Sequence, residues 1–207
     1  MSAALAMIAK APVPGKVKTR LSPPCSPEQA AALAEAALAD TLQAMRAASP
    51  QRLIVVLDGD PGPWLGDGAE LLPQRGAGLD ERLANAFTDI GGPALIIGMD
   101  TPQVTPEVLA AALAALDDHD AVLGAADDGG YWCIGLSAPD PNALLGVPMS
   151  DPSTGAAQRA RLRALGLTVA EVPPLRDVDD FMSAKAVAAE APGTRFARCL
   201  GELSVPA

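Results

Sequence analysis

Aromatic side chains are scarce, with two Trp, one Tyr and three Phe in 207 residues. A core of any size must therefore be built from Ala, Leu and Val. Histidine occurs once, at His119, and Cys25, Cys133 and Cys199 are far apart with no Cys-x-x-Cys among them. This argues against a zinc site and against a disulfide framework, and favours a reducing compartment. No apolar run reaches the roughly 18 residues that a membrane span needs. The first apolar run, Ala3 to Ala9, has no cationic region before it and is too short for a signal peptide. We expect a soluble, cytoplasmic chain with no membrane partner. Also missing is any Asp or Glu in the first 27 residues of a protein whose net charge is −10.

A hydrophobic content of 49% in a chain of this length is enough for one folded domain, so residues 1–207 are read as a single α/β unit. The acidic balance argues against nucleic acid as a partner, because phosphate backbones need a basic surface. The local basic element is the N-terminal one, with Lys10, Lys16, Lys18 and Arg20. A small anionic ligand fits that asymmetry better than a polyanion.

The stretch Ala-Leu-Ile-Ile-Gly-Met-Asp-Thr-Pro, residues 94–102, opens as a strand buried on both faces. The residue before Pro102 is pushed out of the helical region, so Asp100 falls just past the carboxyl end of a central strand. In open α/β sheets ligands bind at that edge. A carboxylate there suits Mg²⁺ shared with a substrate phosphate, or it caps a turn; both readings stand. Ala3 to Ala9 reads as a first strand. The loop after it, residues 10–21, is kept irregular by Pro12, Pro14 and Gly15 and carries the four cations. It is either a phosphate-binding loop or a solvated basic one. It has neither the Walker spacing nor a dinucleotide fingerprint.

Ser26-Pro27-Glu28-Gln29 opens a helix with a capping box that runs to about Ala48. Strands follow at Arg52 to Leu57 and Glu70 to Pro73. A helix follows with Leu79, Leu83 and Phe87 on one face and Arg82 on the other, near the strand ends. Thr105-Pro106 starts another helix. Ala121 to Gly124 and Tyr131 to Leu136 read as strands around Asp127-Asp128-Gly129-Gly130, which is a hairpin turn or a ligand-approaching loop. Thr154 to Leu165 is a helix, and Leu167 to Val172 is a last strand ending at Pro173-Pro174. Asp177 and Asp179 project the same way from an extended segment, either toward one cation or as caps of a helix beginning near Phe181.

Five segments together resemble a known family: residues 10–21, Gln74 to Leu83, Ile97 to Pro102, Leu123 to Leu136 and Asp177-Val178-Asp179-Asp180. It is the uncharacterised transferase family often encoded beside radical-SAM or selenium-related proteins, within the nucleotide-diphospho-sugar transferase superfamily. The resemblance implies a three-layer α/β/α sandwich of GT-A type with a mostly parallel mixed sheet. It implies a nucleotide held by Lys10, Gly15, Lys16, Lys18 and Arg20, with Arg82, Asp128, Gly129 and Gly130 as further contacts. It also implies Mg²⁺ or Mn²⁺ near Asp100, with Asp177 and Asp179 as partners. The superfamily's guanylyltransferase of deazaflavin-cofactor synthesis has a similar layout. Two places depart from the family pattern: Asp80, where glycine is usual, and Pro148-Met149-Ser150, where Trp-Ser-Thr is usual.

Three functions are compatible with these readings. The first is a metal-dependent nucleotidyltransferase joining a nucleoside triphosphate to a small phosphorylated acceptor, with Asp100, Lys18 and Arg20 at the reacting phosphate. The second is a nucleotide-sugar-dependent glycosyltransferase; that class usually carries Asp-x-Asp after the central strand, and here Gly98 stands two before Asp100. The third is a non-catalytic nucleotide-binding protein. The base, the acceptor and the oligomeric state are not encoded in any readable pattern.

Overall fold

The computed structural model describes residues 3–203. Seven strands form one sheet: β1 (Ala4–Lys10), β2 (Leu53–Asp58), β3 (Glu70–Pro73), β4 (Ala94–Ile97), β5 (Ala121–Ala126), β6 (Tyr131–Leu136) and β7 (Val169–Leu175). Their order is β3-β2-β1-β4-β6-β5-β7, which puts β4 at the centre. β1, β2, β3 and β4 are mutually parallel, β6 runs antiparallel to both β4 and β5, and β7 is parallel to β5. This is the mostly parallel mixed sheet that was expected.

Among the described residues six α-helices cover it: α1 (Pro27–Ala47), α2 (Leu79–Ile90), α3 (Pro106–Ala115), α4 (Thr154–Ala164), α5 (Phe181–Glu190) and α6 (Arg195–Glu202). Alternation along the strands splits the core in two. Leu5, Met7 and Ala9 of β1 pack with Leu38, Leu42 and Met45 of α1 and Leu109 of α3. Ala4 and Ala6 face the other way, onto Leu83 and Phe87 of α2 and Leu162 of α4. A third cluster joins the back of α1 to α5 and α6 through Leu33, Val187 and Phe196. The small side chains of α1 let it serve both clusters. The result is a three-layer α/β/α sandwich.

The capping box at Ser26 forms as read: Ser26 Oγ accepts the Gln29 N–H and Gln29 Oε1 accepts the Ser26 N–H. Ser26→Ala should cost about 1 kcal/mol of unfolding free energy, measurable by urea titration. Two elements differ from the sequence reading. β7 continues through Pro173 and Pro174 to Leu175, because it is an edge strand where a missing N–H breaks no ladder. The chain after Phe181 holds two helices rather than one, the second capped by Thr194, whose Oγ1 accepts the Ala197 N–H.

Candidate active site

Strand direction decides which residues meet. The parallel strands β1, β2, β3 and β4 all end at one edge of the sheet. There they deliver Lys10, Asp58, Gln74 and the Gly98–Asp100 segment. Antiparallel β6 begins at that same edge, with Tyr131. β7 ends there too and continues into Asp177 and Asp179.

A cavity of about 590 Å³ opens at this edge. Lys10, Lys16, Lys18, Arg20, Arg82, Asp100 and Asp179 all line it. The four loop cations and the carboxylate after the central strand, distant in sequence, are therefore neighbours. The loop is fixed where it matters. Val17 and Leu21 are buried on either side of Lys18, and the Ala11 N–H donates to the Asp58 carbonyl at 2.9 Å. Lys18 itself has left-handed backbone (φ 51°), one of three non-glycine residues with positive φ among those described. Another, Ser150, also lines the cavity.

The Lys18 side chain is only 8% exposed, and its Nζ lies 2.5 Å from Asp100 Oδ1. It also donates to the Val178 carbonyl. Asp100 Oδ1 makes no well-angled hydrogen bond, so the Lys18 contact is an ion pair rather than a directed bond. The Val178 N–H donates to the Asp100 carbonyl at 2.8 Å, which ties the post-β4 and post-β7 segments side by side. Arg20 Nη1 reaches both oxygens of Asp179 at 2.7 Å.

Asp177 does not line the cavity, but it belongs to the same electrostatic group. Burial, then the charges of Asp128, Asp100 and Asp179, push its carboxyl up to about 6, against a bond to its own backbone that pulls it down. Asp180, not Asp177 or Asp179, caps α5, its carboxylate accepting the Ser183 N–H at 2.7 Å. Asp100 and Asp179, the carboxylates on the cavity wall, are oxygen donors of the kind a hard cation takes. Among the described residues no three His, Cys, Asp or Glu side chains gather closely enough to enclose a metal ion.

The Asp177 shift has a stability consequence. An acid whose folded pKa exceeds its unfolded one stabilises the fold at pH below the unfolded value, about 4. That contribution is lost as pH rises through 6. Asp177→Asn should therefore stabilise the metal-free protein at pH 8 by roughly 1–2 kcal/mol, after allowing for partial exposure. The gain should shrink toward pH 4.5. Urea titrations at both pH values with EDTA present check this.

Several candidates lie outside the cavity wall. Gly15 has positive φ and open space around it. Asp128 Oδ1 accepts the Gly130 N–H at 2.7 Å, closing the β5–β6 hairpin turn. Gly129 packs against Pro152, and its carbonyl accepts the Gly155 N–H at 2.8 Å. Asp127 pairs with Arg176 at 3.3 Å.

Three lining or supporting residues had no assigned role in the sequence reading. Gln74 donates to the Ala9 carbonyl at 2.7 Å and accepts from Arg82 at 3.0 Å. Asp58 holds the same guanidinium at 2.8 Å. Together they fix Arg82 over the cavity. Tyr131, the chain's only tyrosine, lines the wall, its hydroxyl kept protonated by burial and then by the nearby Asp80 charge. Gln74 and Asp58 each stand at the end of a strand, the same signal that picked out Asp100.

This fold is that of the nucleotide-diphospho-sugar transferases, and the chain is an enzyme of the transferase class. A protein from Desulfovibrio desulfuricans G20, provisionally named a nucleotide-diphospho-sugar transferase, superposes with a TM-score of 0.85. It is 27% identical, covering 97% of this chain and 94% of that one. The 2-C-methyl-D-erythritol 4-phosphate cytidylyltransferase of Thermus thermophilus shares the fold at a TM-score of 0.56 and 18% identity, over 93% of this chain and 100% of that one. So does the manganese complex of Rv0371C from Mycobacterium tuberculosis H37Rv, at 0.55 and 19%, over 90% and 98%. No curated protein matches the sequence. The chain belongs to the family described as uncharacterized protein conserved in bacteria (DUF2064), whose sequence profile matches residues 29–151. Among the described residues no helix is long and apolar enough to cross a membrane.

Proposed function

We propose that the chain is a divalent-metal-dependent nucleotidyltransferase that joins a nucleoside triphosphate to a small phosphorylated acceptor and releases pyrophosphate. One observation carries this reading: Lys10, Lys16, Lys18, Arg20 and Arg82 line the same cavity as Asp100 and Asp179. Five cations around one cleft in a protein of net charge −10 suit a polyphosphate. The manganese in the Rv0371C complex and the cytidylyltransferase name of the Thermus relative point the same way.

In this reading an acceptor phosphate oxygen attacks the α-phosphorus, the α–β phosphoanhydride bond breaks, and pyrophosphate carries away the electron pair. Such a transfer needs positioning and charge neutralisation more than a nucleophilic side chain. Lys10 and Lys16 hold the triphosphate tail, and Lys18 and Arg20 neutralise charge at the reacting phosphate. Asp100, with Asp177 and Asp179, would hold Mg²⁺ or Mn²⁺, which when bound supplies charge neutralisation on the phosphate oxygens. A Mg²⁺ ion that takes one or two carboxylates, waters and substrate phosphates needs no closed protein cage.

The Desulfovibrio relative's name favours a second reading, glycosyl transfer from a nucleotide sugar. Against it stands Gly98. A Cβ there would meet only the Trp132 carbonyl, at 3.8 Å, so close packing at the backbone does not demand the glycine that stands where Asp-x-Asp has its first Asp. Incubation with each nucleoside triphosphate or nucleotide sugar, Mg²⁺ and a panel of phosphorylated acceptors separates the readings. Pyrophosphate release supports ours. Nucleoside diphosphate release from a nucleotide sugar overturns it.

A further inference from the structure

We infer that Lys18 occupies the metal position in the ligand-free protein, so that the site takes a metal–polyphosphate chelate and not a free divalent ion. The inference rests on the nucleotidyltransferase reading and sharpens its substrate to the metal-complexed form.

The ammonium of Lys18 sits between Asp100 Oδ1 and the Val178 carbonyl. Both are oxygen donors of the kind a hard cation takes. The placement is set by the fold. The Lys18 side chain is 8% exposed, its backbone is left-handed, and Val17 and Leu21 anchor the loop on both sides. Arg20 does the same to Asp179, covering both of its oxygens. Two of the three candidate ligands are thus neutralised by the chain's own cations.

A bare divalent ion must compete with the Lys18 ammonium for Asp100, while the other lining carboxylate, Asp179, is already taken by Arg20, and that competition weakens its binding. A polyphosphate supplies both cations with another anionic partner. Lys18 and Arg20 can turn to the phosphates, and Asp100 and Asp179 are released for the ion that arrives with them. Binding of ion and polyphosphate is then positively coupled, and by thermodynamic reciprocity each must tighten the other by the same factor.

Mn²⁺ titrations followed by electron paramagnetic resonance, and tripolyphosphate titrations by calorimetry, test this on the wild type, Lys18→Met and Lys18→Met/Asp100→Asn. Mn²⁺ alone should bind Lys18→Met about tenfold or more tighter than wild type, and the second substitution should abolish that gain. Unchanged or weaker Mn²⁺ binding by a folded Lys18→Met overturns the inference. The wild type alone provides an independent check: Mn²⁺ at a concentration that does not bind by itself should tighten tripolyphosphate about tenfold, and no tightening overturns the coupling. A gain in Mn²⁺ affinity without any tripolyphosphate binding keeps Lys18 on the metal position but removes the nucleotidyltransferase reading. Tripolyphosphate binding with Mn²⁺ affinity unmoved by Lys18→Met does the reverse.

Discussion

Asp100→Asn should leave the fold intact and lower metal-dependent nucleotide affinity by at least about 100-fold, since even outer-shell partners of metal ligands cost 10–100-fold. The substitution keeps size and shape and removes one negative charge. Asp100 follows β4, the middle strand, and its backbone is held independently of its carboxylate by the Val178 N–H. The carboxylate is 43% exposed, so losing its pair with Lys18 should cost only roughly 1 kcal/mol, and Lys18 keeps the Val178 carbonyl. Calorimetric titration of a nucleoside triphosphate with and without Mg²⁺ checks the outcome. Wild-type Mg²⁺-dependent affinity in this variant would take Asp100 out of the site.

Gly129→Ala should destabilise the protein by about 4 kcal/mol or prevent folding, within the range of severe backbone and packing clashes. Two costs combine at this residue. Its φ is +90°, a region that L side chains rarely adopt, and a Cβ placed there would lie 2.1 Å from the Pro152 carbonyl oxygen. Neither the oxygen nor the turn can move freely, because the Gly129 carbonyl accepts from Gly155 at the start of α4. A purely ligand-contacting glycine would give a different result: a stable variant with weakened nucleotide binding. Urea titration alongside a binding assay distinguishes the two. Unchanged stability would show that the hairpin turn can separate from α4.

The fold was legible because the local signals agreed with one another. Buried β-branched runs alternated with capped helices, and Ser26-Pro27-Glu28-Gln29 formed the capping box its spacing demands. The site was legible where chemistry sits at strand ends, as with Lys10 and Asp100. It was not legible where it depends on a third dimension. Nothing in the spacing says that Lys18 reaches Asp100, 82 positions away, or that Arg20 covers Asp179. The edge position of β7, which lets Pro173 and Pro174 continue the strand, is likewise a property of sheet order and not of local composition. Asp128, Gly129 and Gly130 carry a motif equally suited to a hairpin and to a ligand. Only their contacts with Pro152 and Gly155 show the structural work they do.

The central claim is that one cleft binds a nucleoside triphosphate together with a divalent ion. A thermal-shift panel tests it most directly, using four nucleoside triphosphates and several nucleotide sugars, each with and without Mg²⁺. A ligand at 100 times its dissociation constant adds about 2.7 kcal/mol, or roughly 5–10 °C for a chain of this size. A Mg²⁺-dependent shift with a triphosphate should exceed the shift with any nucleotide sugar, and that shift also identifies the base. A shift with a nucleotide sugar alone, or one indifferent to Mg²⁺, would contradict the claim.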